Sequence, residues 1–357
     1  MAIVTIVGAG MMGTALSWPL RDNHHEVRLV GTPLDDEIIN SIRASRFHPT
    51  LQRSIPDGII PFYSHQLSEA LSGADLLVGG VSSFGVVWFA DTVGPYFTSK
   101  VPVLSVTKGL EDQPDGTLLT LPDAINQRLS PHLRDHVSLN AIGGPCTAHE
   151  LAARRQTCVV FCGKDKQILS WLREIISTEY YHIWLSTDVV GVETCAALKN
   201  AYALGICLGM GMMEQAGPDG LADMYNPQAA LFAQGCLEIG RFLRLLGGGA
   251  DKVAWLPAPG DLFVTIFGGR TARLGKLLGK GVPFTQAREA LAGVTLESVE
   301  IITRVGRALH KRNQTGEVDL GDYPLLLHLD QVINEGQPVK IPWDRFFFSD
   351  GQDFQVF

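Results

Sequence analysis

The stretch Ile3-Val-Thr-Ile-Val-Gly-Ala-Gly-Met-Met-Gly13 decides the fold. Its first five residues, all β-branched, read as a buried strand, and Gly8-Ala9-Gly10-Met11-Met12-Gly13 fits G-x-G-x-x-G directly after it. The first glycine permits the turn, the second lets a pyrophosphate approach the backbone, and the third lets helix and strand pack closely. The helix that follows offers unpaired N–H groups and a partial positive charge to the phosphates. A second strand, Glu26–Val30, stands at the spacing such a unit needs. After it comes Val30-Gly31-Thr32-Pro33, with no acid at the tip where an NAD-preferring turn carries one and no arginine nearby for a 2′-phosphate. Asp35 and Asp36 follow a little later. The implied cofactor is NAD or NADP, with the choice open.

Outward from this turn, the first half alternates strands with helical patterns. Strands are expected at Ile3–Val7, Glu26–Val30, Leu76–Val81, Val103–Val106, Val137–Ile142 and Cys158–Cys162. Helical patterns fall at Gly13–Asp22, Asp35–Arg43, His65–Leu71, Gly85–Thr92 and Gln167–Ser177. Such alternation predicts a parallel sheet with helices on both faces. Beyond Thr187-Asp188 the patterns are nearly all helical: 188–216, 227–246, 260–280, 284–291, 295–310 and 323–335. The expected fold is α/β, a Rossmann-type doubly wound sheet over residues 1–187 followed by an all-helical domain over 188–357. The tail from 337 carries Trp343, Phe346, Phe347, Phe348, Phe354 and Phe357 and is expected to dock on a body or partner.

A chain of 357 residues is too long for one ordinary core, which agrees with two domains. With 46% hydrophobic and 18% charged residues it is globular, and a net charge of −8 argues against nucleic acid or an anionic membrane as the main partner. The six cysteines lack metal-ligand spacing and read as reduced thiols of a cytoplasmic protein, with no metal site. The run 194–213 is long enough to span a membrane, but Lys199, Asn200 and the glycines 205, 209 and 211 favour a buried, closely packed helix.

Lys199 stands out within that run. Its helical neighbours three, four and seven positions away are Val192, Cys195, Ala196, Tyr202, Ala203 and Ile206, an apolar stripe holding one ammonium. A buried lysine is costly unless something pairs with it, and as an acid/base it works near neutral pH only if its environment tunes it. Three further segments place functional residues after strands or at helix starts. They are Ser105-Val-Thr-Lys108-Gly-Leu-Glu111, Ala141-Ile-Gly-Gly144-Pro-Cys-Thr-Ala148-His-Glu150, and Gly260-Asp261-Leu-Phe-Val-Thr265-Ile-Phe-Gly268-Gly-Arg270. Carboxyl ends of strands in a doubly wound sheet are where ligands bind, and an arginine after two glycines at a helix start is a sound anion site.

The glycine turn, Thr107-Lys-Gly-Leu, Gly144-Pro, Ala197-Leu-Lys-Asn200 and Gly260-Asp-Leu…Gly-Gly-Arg270 occur in the order seen in NAD(P)-dependent sn-glycerol-3-phosphate dehydrogenases. The chain resembles that family from residue 3 to about residue 336. The resemblance implies that Lys199 is the acid/base, giving a proton to the carbonyl oxygen of dihydroxyacetone phosphate as hydride reaches its carbon. It implies that Lys108 and Asp261 border the reacting hydroxyl, that Asn200 and Thr265 help hold substrate, and that Arg270, with Gly269 and Thr271 beside it, binds the substrate phosphate. Gly144 and Cys146 would line the substrate pocket. Gly8, Gly10, Met11, Met12, Gly13, Thr32, Lys108, Ala148, Arg270 and Glu297 would meet the cofactor.

Some residues depart from the family pattern. Thr271 stands where Asn is usual, Gln234 where an arginine is usual, and Cys146-Thr147 where Ser-Phe is common. These leave the exact polyol phosphate open. Related reductases of another small phosphorylated or carboxylated ketone, and a non-catalytic NAD(P)H sensor, are the competing readings. The intact Lys199, Lys108 and Asp261 set argues against the sensor. The expected partners are a small phosphorylated substrate and, as an option, a second copy of the chain.

Overall fold

The computed structural model describes residues 1–216, 225–249, 251 and 255–347. The chain forms two compact units, Met1–Lys108 with Thr120–Glu193, and Gly109–Leu119 with Thr194–Phe357. A hairpin at 109–119 therefore leaves the first unit for the second, a departure that no local pattern in the sequence announced.

The first unit is built on an eight-stranded sheet. In chain order its strands begin with β1 (Ile3–Val7), β2 (Glu26–Val30), β3 (Ile59–Phe62), β4 (Leu76–Gly79) and β5 (Val103–Ser105). The hairpin supplies β6 (Leu110–Asp112) and β7 (Leu118–Thr120), which pair only with each other, and the sheet resumes with β8 (Leu139–Gly143), β9 (Thr157–Cys162) and β10 (Tyr181–Ser186). The sheet order is β10-β9-β8-β5-β4-β1-β2-β3. β1 lies between β2 and β4, both parallel to it, so the chain reverses its winding direction at the end of β1. That reversal is the topological switch point where doubly wound sheets take ligands. Val4, Ile6 and Val7 are fully buried, as expected of a strand covered on both faces.

Three expectations need correction here. The sheet is not wholly parallel, because β8 and β9 pair antiparallel, the helix Ala148–Ala152 between them being too short to carry the chain across the sheet. β3 escaped notice because of Pro61, which a sheet tolerates at its edge, where β3 lies. The helix expected over 13–22 is two helices, Met11–Ala15 and Ser17–Asp22, since Pro19 has no N–H and its ring crowds the carbonyl four residues back.

The second unit is helical. Its longest helix, Val189–Ala216, begins in the first unit and runs through the second unit's core, where Ala201 to Leu204 and Ile206 to Leu208 have no exposed surface. It is long and apolar enough to cross a membrane, but 89% of that apolar window is buried within the fold. The helix expected over 260–280 is interrupted. A π-helical turn at Leu256–Gly260 leads into Asp261–Ile266, the backbone is extended at Gly268, and a new helix runs over Gly269–Gly279. Gly269 has φ of 80°, which a side chain would resist, so the glycine pair restarts the helix with Arg270 in its first turn.

A buried carboxylate ties several of these helices together. Glu238 accepts from Tyr202 Oη at 2.9 Å, Gln234 Nε2 at 2.7 Å, and the Leu325 and Leu326 N–H groups at 2.8 and 3.0 Å. Those last two amides open the helix Pro324–Asn334, so Glu238 caps it from outside. Gln234 in turn accepts the Phe347 N–H at 3.0 Å. Phe346 is buried in the same core, while Trp343 and Phe347 are partly exposed. The expectation for Phe348, Phe354 and Phe357 lies outside the described residues.

Candidate active site

The glycine turn closes tightly. Gly8 has φ of 112°, donates its N–H to Val30 O at 2.8 Å, and a Cβ placed on it would sit 2.6 Å from the Gly80 carbonyl carbon. A Cβ on Gly13 would lie 2.5 Å from Gly8 O. Gly10 differs, because its nearest obstacle would be Gly80 O at 3.8 Å. Two of the three glycines are thus required by the fold. At the third, no described atom crowds the position, which suits the close approach of a pyrophosphate. Gly10 also precedes the first turn of Met11–Ala15, with no side chain capping it. The Met11 and Met12 side chains, with those of Cys146 and Ala148, pack against the first unit's core. Thr32 donates both its N–H and its hydroxyl to Asp35 Oδ2 at 2.8 Å.

Neighbouring strands β5 and β8 carry the next pair of residues, just beyond their carboxyl ends. Lys108 Nζ donates to Gly144 O at 3.0 Å, with Gly144 at φ 111°. The loop bearing Lys108 is pinned by Thr107, whose hydroxyl donates to Val81 O at 2.6 Å and whose N–H donates to Ser105 Oγ at 3.1 Å. Thr147 caps the helix Ala148–Ala152. Lys108 also feels a buried acid, Glu193, electrostatically. Glu193 is fully buried, and among the described residues its carboxylate has no well-formed hydrogen bond, the Leu121 backbone being its weak polar neighbour. Burial pushes its pKa up to about 8, against the pull of the Lys108 ammonium.

In the second unit the apolar stripe holds its ammonium as the sequence suggested, and the counter-charge is Asp261. Lys199 Nζ donates to Asp261 Oδ1 at 2.7 Å and to Thr265 Oγ1 at 2.8 Å. The Thr265 hydroxyl in turn donates to Asp261 O at 2.7 Å, one helical turn back. The hydroxyl's direction is therefore fixed, with its lone pairs toward the lysine. Lys199, Asn200 and Asp261 are all buried. Such a pair is costly to desolvate, and the added bond from Lys199 to Thr265 helps to offset that cost.

Arg270 projects from the first turn of Gly269–Gly279 and is 43% exposed, with one guanidinium nitrogen 3.6 Å from Glu297 Oε1. Glu297 opens the helix Glu297–Gln314. Thr271 is partly buried next to Arg270 in the same turn. Lys199, Asp261 and Thr265 thus form one cluster, Arg270 and Glu297 a second, and Lys108 with Gly144 a third. Gln234, the other departure, lies in the Glu238 network of the second unit's core and not in the Lys199 cluster. Among the described residues no group of His, Cys, Asp and Glu is arranged to hold a metal ion.

With that geometry in view, residues 3–169 match the profile of the NAD-dependent glycerol-3-phosphate dehydrogenase N-terminus, and residues 188–343 match that of its C-terminus. The chain is 38% identical over 338 residues to the NADP(+)-dependent glycerol-3-phosphate dehydrogenase of Archaeoglobus fulgidus, covering 95% of this chain and 97% of the relative. It is 31% identical over 344 residues to a glycerol-3-phosphate dehydrogenase [NAD(P)+] of Bacillus cereus, covering 95% and 94%. The crystal structure of glycerol-3-phosphate dehydrogenase from Coxiella burnetii shares the fold, with a TM-score of 0.78, 24% identity, and 94% of this chain and 96% of that one aligned.

Proposed function

The chain belongs to the NAD-dependent glycerol-3-phosphate dehydrogenase family, and from that premise we propose which of its residues perform the reaction. It is an oxidoreductase that interconverts sn-glycerol 3-phosphate and dihydroxyacetone phosphate with NAD(P)H. The observation that carries the assignment of roles is the buried ammonium of Lys199, held at 2.7 Å by Asp261 and at 2.8 Å by Thr265.

When bound, the reduced nicotinamide supplies a hydride to the ketone carbon. Lys199 supplies the proton that the ketone oxygen then needs, and takes it back in the reverse direction. Asp261 and Thr265 fix Nζ before substrate arrives, which removes the orientational cost of finding the oxygen. Lys108, aimed by Gly144 O, is the second cation offered to the reacting hydroxyl. Arg270, with the first amides of Gly269–Gly279, takes the substrate phosphate. Gly144, Cys146, Asn200, Gly269 and Thr271 complete the substrate contacts. Gly8, Gly10, Met11, Met12, Gly13, Thr32, Lys108, Ala148, Arg270 and Glu297 serve the dinucleotide, with NAD and NADP both candidates. A cytoplasmic setting fits the six free cysteines. A homodimer is the assembly to test by light scattering.

Oxidation of NADH and NADPH should be followed with dihydroxyacetone phosphate, dihydroxyacetone and a panel of small keto acids. Dihydroxyacetone phosphate should be the preferred substrate, and turnover of keto acids alone would reject the reading. Arg270→Ala should raise KM for the phosphorylated ketone roughly ten- to hundredfold, as loss of a charge-assisted hydrogen bond of about 1.5–3 kcal/mol implies. Equal penalties on both ketones would move Arg270 from the substrate phosphate to the cofactor or the fold.

A further inference from the structure

Between β2 and β3 the chain makes an excursion, residues 31–58, that the proposed chemistry leaves largely unused. Two of its side chains meet on one peptide group. Ala9, in the middle of the glycine turn, is fully buried. Its N–H donates to Asp35 Oδ2 at 3.2 Å, and its carbonyl accepts from His48 Nε2 at 2.8 Å. The imidazole tautomer follows from the ring's other partner. Leu51 N–H donates to His48 Nδ1 at 3.0 Å, so Nδ1 is the acceptor and Nε2 carries the hydrogen. His48 has no exposed surface, and burial holds its pKa below the ordinary 6.5, in keeping with a neutral ring.

Asp35 is equally committed. Its Oδ2 also takes the Thr32 N–H and hydroxyl, each at 2.8 Å, and its carbonyl accepts the Ile39 N–H at 2.9 Å at the start of the helix Asp36–Ser45. The glycines of the turn have no side chains with which to resist motion, and glycine loses more conformational freedom on ordering than any other residue. Amides that bind an anion work best when their direction is fixed beforehand. A brace from outside the turn meets both needs.

We propose that Asp35 and His48 are positioning residues for dinucleotide binding: they hold the Ala9 peptide by its N–H and its carbonyl, and so fix the orientation of the Gly10–Met12 backbone that follows. This rests on the reading of residues 8–13 as the cofactor turn. Neither residue belongs to the G-x-G-x-x-G pattern, and their action on it is visible only in the folded chain.

The two bonds of His48 can be separated by substitution. In His48→Asn the shorter amide takes the place of Nδ1 and can keep Leu51, but it cannot reach Ala9. In His48→Gln the longer amide takes the place of Nε2 and can donate to Ala9 O. Binding of NADH and of NADPH should be titrated by nucleotide fluorescence, and exchange of the Ala9 amide followed in the cofactor-free protein. His48→Asn should weaken both nucleotides about three- to tenfold, the worth of one hydrogen bond, and His48→Gln should recover most of that loss. Asp35→Ala should speed exchange of the Ala9 amide. Binding by His48→Asn as tight as that of the unmodified protein would overturn the proposal, as would unchanged exchange at Ala9 in Asp35→Ala. If His48→Asn fails to fold, Asp35→Ala decides the matter by the same two measurements. Failure of the unmodified protein to bind either nucleotide would instead sink the dehydrogenase reading, with exchange at Ala9 still reporting on the brace.

Discussion

The glycine turn of the first unit and the lysine cluster of the second both prepare a place for charge, by opposite means. The turn does it with backbone: six consecutive residues, no polar side chain, and no described atom crowding Gly10. The cluster does it with side chains, joining Lys199 to Asp261 and Thr265 across 62 and 66 residues of sequence. A backbone site is rigid because nothing else fits there. A side-chain site is rigid because each member is hydrogen-bonded to the next. The first should therefore fail through added volume, and the second through a lost atom.

The largest expected effect is in the cluster. Lys199→Met keeps the apolar stem and removes the ammonium, so kcat should fall by roughly 10²–10⁴, the range of general acid/base catalysis. Nucleotide affinity should stay close to normal. Asp261 is only 2% exposed and would lose its ion pair with Lys199, so the single variant should also lose stability. Lys199→Met combined with Asp261→Asn removes both charges and separates the two losses. A near-normal kcat in either would leave Lys199 a structural role alone.

The glycine turn offers the complementary experiment. In Gly8→Ala the new Cβ meets the Gly80 backbone at 2.6 Å at a φ of 112°, so folding itself should suffer, by at least about 1–3 kcal/mol for the backbone strain alone. In Gly10→Val the first added carbon meets protein only at 3.8 Å. That variant should fold with a near-normal melting temperature and bind NADH and NADPH at least about tenfold more weakly, a loss of about 1.4 kcal/mol. If the two glycine variants were indistinguishable in stability and in binding, the turn would be doing one job and not two.

The same contrast explains what the sequence could reveal. The strand, the turn and the following helix were legible because period and glycine spacing are local, and Lys199 was legible because one charge interrupted an apolar stripe. Asp261 and Thr265 were recognisable by family resemblance, but their pairing with Lys199 joins residues 62 and 66 apart and leaves no local pattern. β3 was hidden by Pro61, and the two-helix entry after the turn depended on Pro19. The brace of His48 and Asp35 on Ala9 joins residues 39 and 26 apart and leaves no pattern along the chain. Thr107 stands in the Thr107-Lys-Gly-Leu motif, but the bond to Val81 O by which it pins the Lys108 loop joins residues 26 apart and shows only in the fold.

The smallest expected effect concerns the buried acids of the two regions. In the second unit Asp261 has its lysine, and Glu238 has four donors, although burial still lifts the pKa of Glu238 to about 7. In the first unit Glu193 has no well-formed hydrogen bond among the described residues, and burial lifts its pKa to about 8 from an ordinary 4.5. Below pH 4.5 this carboxyl is protonated in the folded and unfolded chain alike. Between 4.5 and about 8 the unfolded chain gives up the proton while the folded chain keeps it, so Glu193's contribution to stability falls as pH rises through that window. Glu193→Gln is neutral at every pH and nearly the same shape. It should melt a few degrees higher than the unmodified protein at pH 8, on a scale of about 2–4 °C per kcal/mol, and the gap should close toward pH 5. Comparing the two proteins at each pH cancels the titration of Glu238. A gap that does not vary with pH would mean that Glu193 is not the group titrating. A variant that melts lower at pH 8 would mean that the carboxylate is ionised beside Lys108. The first unit would then hold its charge as the second does, by a side-chain pair.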